Sequence, residues 1–234
     1  MLRLENLACG YGLFRAMNEL ALEVPRGTIT GLIGPNGAGK SSTLMCIAGH
    51  VDLQAGRIVF DEHDIGGLPA TARVRRGIAV APEGRRLFKD LTVEDNLRVG
   101  GLIHKASLFK ADREYVLSLF PRLGDRLRSL AATLSGGEQQ MLSIGRALMA
   151  RPKLIMIDEL SLGLMPKMVD LCYDALLRLK QDGMTILLVE QNTERVLSVA
   201  DHVCVLESGR AVWSGNAADA RKDPELAAAY LGLR

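Results

Sequence analysis

A glycine-rich loop, GPNGAGKS, spans residues 34–41, between an apolar run at 28–33 and a helix-forming run at 40–48. A loop in this position suits a nucleotide triphosphate, because its backbone N–H groups and the positive end of the helix dipole offset the phosphate charge. Lys40 is predicted to reach the β- and γ-phosphates, Ser41 to bind Mg²⁺, and Ser42 to bond the α-phosphate. The alternative is a turn that only joins a strand to a helix, but the complete pattern is rare by chance.

The loop therefore predicts that the chain binds ATP together with Mg²⁺. Its glycines let the backbone approach the phosphate oxygens at positions where a Cβ would interfere. The residues predicted to contact the nucleotide here are Gly34, Pro35, Asn36, Gly37, Ala38, Gly39, Lys40, Ser41 and Ser42.

Net charge, cysteine spacing and the lengths of apolar runs limit the classes of protein to which the chain can belong. The formal net charge of +2 gives no support for nucleic-acid binding, which needs a clustered basic face. Four cysteines lack the spacing of a metal or redox site and are typical of reduced thiols in a cytosolic protein. The N-terminus is not of the signal-peptide type, and no run approaches the roughly 18 apolar residues of a membrane span. Any membrane part of its function would have to come from another chain.

Strands alternate with helices along most of the sequence, which predicts an α/β fold with a largely parallel sheet. The 234 residues are predicted to form one domain, 1–234, with a mostly helical insert at about 87–150. Predicted strands lie at 2–12, 20–24, 28–33, 55–60, 77–80, 154–157, 185–189, 203–207 and 210–213, and predicted helices outside the insert lie at 40–48, 166–181, 194–200 and 224–230.

Two carboxylates, Asp158 and Glu159, follow the apolar run at 154–157. Ligands bind at the carboxyl ends of the strands in open α/β sheets, so these side chains are predicted to face the nucleotide. Asp158 is assigned to Mg²⁺ and Glu159 to the attacking water. A solvated acidic turn is the alternative, which the glycine-rich loop upstream makes less favourable.

The segment LSGGEQQ at 134–140 precedes another helical run. Ser135 is placed as its N-cap, and Gly136 and Gly137 leave backbone N–H groups bare for a second anion site. Glu138 completes the segment that is expected to meet nucleotide. Taken alone, this is an ordinary helix start, but its position shortly before the strand 154–157 favours the functional interpretation.

Together, GPNGAGKSS and LSGGEQQMLSIGRALMARPKLIMIDE resemble the ATP-binding subunits of ABC transporters, over essentially the whole chain. The resemblance implies a P-loop ATPase fold of ABC type, with an N-terminal antiparallel β part and a helical subdomain. It also implies a head-to-tail dimer of ATPase subunits in which Ser135, Gly136 and Gly137 contact the γ-phosphate held by the partner. Tyr11 falls where the family stacks an aromatic residue on adenine; a turn tyrosine is the alternative.

Three positions depart from the commonest pattern of that family. Glu83 replaces a glutamine that contacts Mg²⁺, Gln191 replaces a histidine, and Leu160 replaces the proline after Glu159. Gln191 can donate to the γ-phosphate but cannot carry a proton, so the general-base role would fall on Glu159, with Gln191 as sensor. Leu160 would relax the backbone beside Glu159, which could alter the rate.

The stretches APEGRRLFKDLTVEDNL, SLGLMP, ILLVEQN and AAAYLG are similar to the smaller ATPase subunit of bacterial importers of branched-chain and other hydrophobic amino acids. This resemblance implies a second ATPase subunit, integral membrane permeases and an extracytoplasmic binding protein as partners, and a place on the cytoplasmic face of the membrane. The segment 84–101 would receive a short permease helix on Arg85, Arg86, Leu87, Phe88 and Lys89, unless it is a solvated loop. A soluble ABC ATPase, or a transport ATPase for another substrate, are the alternative functions.

Overall fold

The computed structural model describes residues 1–222. Within them the strands are β1 (Leu2–Tyr11), β2 (Phe14–Val24), β3 (Ile29–Ile33), β4 (Asp52–Phe60), β5 (His63–Asp64), β6 (Ile78–Ala81), β7 (Leu154–Asp158), β8 (Thr185–Glu190), β9 (His202–Glu207) and β10 (Arg210–Asn216). The α-helices are α1 (Lys40–Ala48), α2 (Ala70–Arg76), α3 (Val93–Gly100), α4 (Phe109–Leu119), α5 (Pro121–Gly124), α6 (Gly136–Leu148), α7 (Pro166–Gln181), α8 (Thr193–Val199) and α9 (Ala217–Ala220). The helix predicted at 224–230 lies outside the described residues.

Two sheets form the framework. The first is antiparallel, in the order β2-β1-β4-β5. The second has the order β10-β9-β3-β8-β7-β6 and is parallel throughout except for the pairing of β9 with β10. Helices α3 to α6 lie between β6 and β7 in the chain. The predicted α/β fold, with an antiparallel N-terminal part, a mostly parallel core and a helical subdomain, is confirmed.

The central parallel strands are buried on both faces, which explains their unbroken apolar sequences. Ile155 and Ile157 of β7 pack with the helical side of the molecule, whereas Leu154 and Met156 pack toward α1 and the antiparallel sheet. Since successive strand residues point to opposite faces, one short strand serves both apolar clusters. The carboxyl ends of β3, β7 and β8 are thereby fixed side by side.

The second strand is longer than predicted. Residues 20–24 are only the end of β2, which begins at Phe14 and pairs with β1 through a hairpin that joins Tyr11 to Phe14. Glu19 has a φ of 49°, close to a register shift between the strands. A bulge of this kind interrupts the alternation of apolar and polar residues by which a strand is recognised in a sequence. Strand β5 and helix α2 also lacked a sequence signal.

Within residues 1–222, no helix is both long enough and apolar enough to cross a lipid bilayer.

Candidate functional site

The glycine-rich loop joins β3 to α1, as the sequence predicts. Gly39 precedes α1 with a φ of 96°, and a Cβ on it would lie 2.6 Å from the carbonyl oxygen of Ala16. The Lys40 ammonium is buried at the mouth of the loop, where it donates to the carbonyl oxygens of Gly34 at 2.9 Å and Pro35 at 3.1 Å. The backbone thus holds a cation next to a row of loop N–H groups.

Asp158 ends β7 directly below the first turn of α1. The Ser41 hydroxyl donates to the Asp158 Oδ1 at 3.0 Å, while the Asp158 Oδ2 is buried and has no hydrogen-bond partner among residues 1–222. Burial raises the pKa of Asp158 to about 6; the Ser41 bond opposes that rise, and the charges of Glu159 and Glu83 add to it. An ionised carboxylate here needs a cation that the described side chains only partly supply.

Glu159 lies between a cation and an amide. Its Oε1 is 3.6 Å from the Lys40 ammonium and accepts from the Gln191 Nε2 at 3.3 Å. Its φ is 50°, and its N–H donates to the Val189 carbonyl oxygen at 2.9 Å, so the adjacent strand fixes an unusual backbone conformation. Leu160, which the sequence suggested as a source of backbone relaxation, is fully buried in the core on the helical side of the molecule. It anchors this loop through packing.

Lys40, Ser41 and Glu159 line one open cleft of about 320 Å³, whereas Asp158, which accepts from Ser41, is not among its lining residues. Its lining residues are Phe14, Ala16, Asn36, Gly37, Ala38, Gly39, Lys40, Ser41, Ser42, Glu83, Glu159 and Gln191. The glycine-rich loop, Glu83, Glu159 and Gln191 were all predicted from the sequence, and the structure brings them together here. Tyr11 is not among the lining residues, and the aromatic side chain at the cleft is Phe14, whose exposed fraction is 67%.

The segment Ser135–Glu138 lies apart from this cleft and contributes none of its lining. Ser135 caps α6, since its hydroxyl accepts from the Glu138 N–H at 3.3 Å and the Glu138 carboxylate accepts from the Ser135 N–H at 2.8 Å. The Glu138 carboxylate is therefore occupied by a capping box rather than free for a ligand. A Cβ on Gly137 would lie 2.9 Å from Met168 Cβ, so close packing on α7 requires glycine there.

Glu190 was missed by the sequence analysis, which placed the end of the strand at residue 189. It is fully buried at the end of β8, and burial raises the pKa of its carboxyl. The carboxylate accepts from the Ser161 N–H at 2.7 Å, the Ser161 hydroxyl at 3.0 Å and the Gln191 N–H at 3.2 Å. It therefore fixes the loop after Glu159 to the loop that carries Gln191. A carboxylate that directly follows an apolar run was the only available signal.

The site suits Mg²⁺ held jointly by protein and phosphate. Among residues 1–222, no cluster of three or more histidine, cysteine or carboxylate side chains could hold a metal by itself. Mg²⁺ is usually bound by one or two protein ligands plus substrate phosphates and water. The unpartnered Asp158 Oδ2 and the neighbouring Ser41 hydroxyl match that requirement.

One expectation about the surface needs correction. Arg85 was assigned to an exposed docking surface, but it is half-buried and donates to the Gln139 side chain of α6 at 3.2 Å. Leu87, from the same assignment, is half-buried against the core, whereas Arg86, Phe88 and Lys89 are exposed.

Comparison with known proteins places these features in context. The family model described as "ABC transporter" matches residues 17–161. The chain is 44% identical over 232 residues to the high-affinity branched-chain amino acid transport ATP-binding protein BraG of Pseudomonas aeruginosa, covering 99% of this chain and 100% of the relative. It is 34% identical over 230 residues to the lipopolysaccharide export system ATP-binding protein LptB of Escherichia coli K12, covering 97% and 95%.

Among solved structures, the chain resembles the ADP conformation of an ATP-binding cassette of an ABC transporter. The TM-score is 0.85 at 28% identity, and the match covers 97% of both chains.

Proposed function

The chain belongs to the ABC transporter family, whose ATP-binding and ATPase functions it shares, and we propose that it energises a membrane importer of branched-chain or other hydrophobic amino acids. The observation that carries this proposal is the 44% identity with BraG, which extends over the full length of both chains. The 34% identity with a lipopolysaccharide export protein keeps a different cargo as the second candidate, because that relative covers nearly as much of the chain.

In the proposed reaction, Glu159 accepts a proton from the water that attacks the γ-phosphorus, while the bond from that phosphorus to the β–γ bridging oxygen breaks and ADP leaves. Its Oε1 is held between the Lys40 ammonium and the Gln191 amide, so the base is oriented before substrate binds. Lys40 exchanges its loop carbonyl contacts for the β- and γ-phosphates. Gln191 donates an amide hydrogen bond to the γ-phosphate. Because Gln191 also contacts Glu159, the presence of the γ-phosphate affects the position of Glu159.

Ser41, Asp158 and Glu83 are the residues we assign to Mg²⁺. When bound, the ion neutralises charge on the β- and γ-phosphates. Asp158 contributes a carboxylate oxygen that has no other partner in the described part of the chain, and the Ser41 hydroxyl next to it is already fixed in direction. Glu83 lies on the cleft wall and adds a negative charge where a glutamine would be neutral.

The adenine contact is assigned to the hairpin between β1 and β2. Tyr11 and Phe14 are directly paired across that hairpin, and their exposed fractions are 56% and 67%. Phe14 lines the cleft, so its ring is the better candidate for stacking on the base.

A second ATPase subunit, identical or related, would complete the site. Ser135, Gly136 and Gly137 would then contact the γ-phosphate held by that partner. Leu162 and Met165, in the loop after Glu159, expose 53% and 70% of their surfaces. Apolar side chains so close to a catalytic loop favour a protein contact at that face.

The permease would dock on the segment 84–101, which links the nucleotide site to the helical insert at about 87–150. Phe88 has an exposed fraction of 49%, and Leu102 and Ile103 just beyond the segment have 72% and 43%. Arg86 and Lys89 add positive charge to this apolar surface. The chain would therefore lie on the cytoplasmic face of the membrane, with an extracytoplasmic binding protein delivering the cargo to the permease and with no role for nucleic acid.

Reconstitution of the transporter tests the cargo. The chain is purified from membranes with its associated subunits, and ATP-driven uptake of radiolabelled leucine into proteoliposomes is measured beside an equal complex that carries Glu159→Gln. We expect uptake only with the unmodified chain and ATP. A complex that hydrolyses ATP but is neither bound nor stimulated by any hydrophobic amino acid, with its binding protein present, would refute the amino-acid assignment and favour the export alternative.

A further inference from the structure

Glu190 lies where the pairing of β7 with β8 ends. Asp158 is the last residue of β7 in that pairing, and the Glu159 N–H still donates to the Val189 carbonyl oxygen at 2.9 Å. The φ of 50° at Glu159 then ends the extended conformation, so regular pairing does not reach Ser161. The Ser161 N–H therefore needs an acceptor that the strand backbone does not provide.

The Glu190 carboxylate provides that acceptor. Its Oε1 accepts from the Ser161 N–H at 2.7 Å, and its Oε2 accepts from the Ser161 hydroxyl at 3.0 Å and from the Gln191 N–H at 3.2 Å. Glu190 is fully buried, where a carboxylate is costly unless it is hydrogen-bonded. The two backbone N–H groups bond to different oxygens, so the position requires two acceptors. A glutamine has one oxygen and would turn its NH2 group toward the other N–H.

The bonds of Glu190 close a ring of contacts between two segments of the chain. Ser161 lies two residues after Glu159 in one segment, and Gln191 directly follows Glu190 in the other. The Gln191 Nε2 donates to the Glu159 Oε1 at 3.3 Å and completes the ring. Glu159 and Gln191 line the cleft, whereas Glu190 does not. Glu190 can therefore affect the nucleotide only through the residues that it holds.

We propose that Glu190 is a positioning residue for ATP hydrolysis, which sets the contact between the Gln191 amide and the Glu159 carboxylate. The proposal rests on the proposed function, in which Glu159 is the base and Gln191 contacts the γ-phosphate. Without two acceptor oxygens at position 190, one of the two segments is released, and the contact in the cleft is lost. Lys40 is held by carbonyl oxygens of the glycine-rich loop and not by Glu190, so ATP binding is retained.

A double-mutant cycle tests whether Glu190 acts through Gln191. Steady-state ATP hydrolysis is measured in the complex purified from membranes, in which this chain is unmodified or carries Glu190→Gln, Gln191→Ala or both substitutions. The turnover that remains with Glu159→Gln is subtracted, because it does not depend on the base of this chain.

Each single substitution is expected to lower kcat about tenfold, the factor that one hydrogen bond to a charged group supports, and to leave KM for ATP unchanged within about twofold. The double variant should also be about tenfold slower than the unmodified complex, and not about a hundredfold slower. The reason is that Gln191→Ala already removes the contact that Glu190 sets.

Asp201→Asn is the matched control. The Asp201 carboxylate also joins two segments, since it accepts from the Ile29 N–H at 2.9 Å and from the Lys180 ammonium at 2.6 Å. It lies at the start of β3, whereas Glu190 is level with the end of that strand. Asp201→Asn is therefore expected to lower the melting temperature and to leave kcat unchanged.

The proposal is overturned by a double variant that is about a hundredfold slower, because the two effects would then be independent. A loss of kcat in Asp201→Asn as large as in Glu190→Gln also overturns it, because general stability would then be the cause. So does a Glu190→Gln complex with unchanged kcat, or one that loses only affinity for ATP.

If Glu190→Gln does not fold, Ser161→Ala removes one donor to the same carboxylate. It must lower kcat by about threefold, and it must lose that effect in the chain that carries Gln191→Ala. Failure of the proposed function gives a different result, in which Glu159→Gln and Gln191→Ala themselves leave turnover unchanged.

Discussion

The phosphate-binding cleft and the segment Ser135–Glu138 are both glycine-bearing helix starts, but the fold uses them differently. In the cleft, segments that follow three separate strands place Lys40 and Gln191 at 3.6 Å and 3.3 Å from the Glu159 Oε1. In the second segment, Ser135 and Glu138 satisfy each other in a capping box, and the segment contributes none of the lining of the cleft. The chain assembles the cleft by itself, whereas the segment is a preformed helix start whose ligand, in the function proposed above, would come from a partner.

Replacing one carboxylate in each region by an amide should give the largest difference in ATP turnover between the two regions. Glu159→Gln removes the proposed base and is expected to lower ATP turnover about a thousandfold, with ATP affinity retained. Glu138→Gln keeps the acceptor that a capping box needs, so its effect should stay below about tenfold. Both are measured as kcat and as equilibrium ATP binding. Turnover by Glu159→Gln near the unmodified rate would remove Glu159 from the mechanism.

A glycine-to-alanine substitution in each region compares how strongly the two backbones are constrained. Gly39→Ala forces a Cβ toward the Ala16 carbonyl oxygen at a φ of 96°, and it should lower the free energy of unfolding by about 2–4 kcal/mol. Gly136→Ala meets only ordinary contacts at a helix start, and it should change that free energy by less than about 1 kcal/mol. Urea titration of both variants measures the difference. Equal losses would mean that the two loops are constrained alike.

The Asp158 carboxylate, which is assigned to bind a cation, should destabilise the fold of the nucleotide-free chain when it is ionised. The folded-state pKa of Asp158, about 6, lies above its ordinary value of 3.8, so the protonated form stabilises the fold below about pH 4, and that stabilisation is lost as the pH rises through 6. At neutral pH, Asp158→Asn should therefore raise the free energy of unfolding of the nucleotide-free chain by about 1–2 kcal/mol.

Thermal unfolding at pH 5 and pH 8 checks this, with the exposed Asp90→Asn as control. The gain from Asp158→Asn should be larger at pH 8. A gain that is independent of pH would show that its cause is not the buried charge.

The sequence sufficed for elements whose signal is local. The loop 34–41, the two carboxylates at the end of β7 and the N-cap Ser135 are each encoded by adjacent residues. Contacts made across the chain could not be predicted in the same way. Nothing local separates Arg85, which binds α6, from Arg86, which is exposed. Phe14 lies at the cleft, where a hairpin pairs it with Tyr11, and the register shifts between β1 and β2 obscure this pairing in the sequence pattern.

The burial of Leu160 and Glu190 also depends on contacts between residues that are distant in the sequence. Each lies next to a predicted catalytic residue, where the sequence indicates only a loop. The structure places Leu160 in the core and uses Glu190 to join two loops through Ser161 and Gln191. Both depend on how β7 and β8 pack side by side, which no short motif encodes.

The central claim is that each chain binds ATP in its own cleft, while its segment Ser135–Glu138 contacts the ATP bound by a partner. Equilibrium ATP binding to the isolated chain tests this most directly. Lys40→Ala should weaken binding by about tenfold to hundredfold, because it removes charge-assisted bonds to the phosphates. Ser135→Ala should leave that affinity unchanged within experimental error and reduce only ATP hydrolysis by the assembled complex. If Ser135→Ala weakens ATP binding by the isolated chain as much as Lys40→Ala does, the segment belongs to the chain's own site and the division proposed here is wrong.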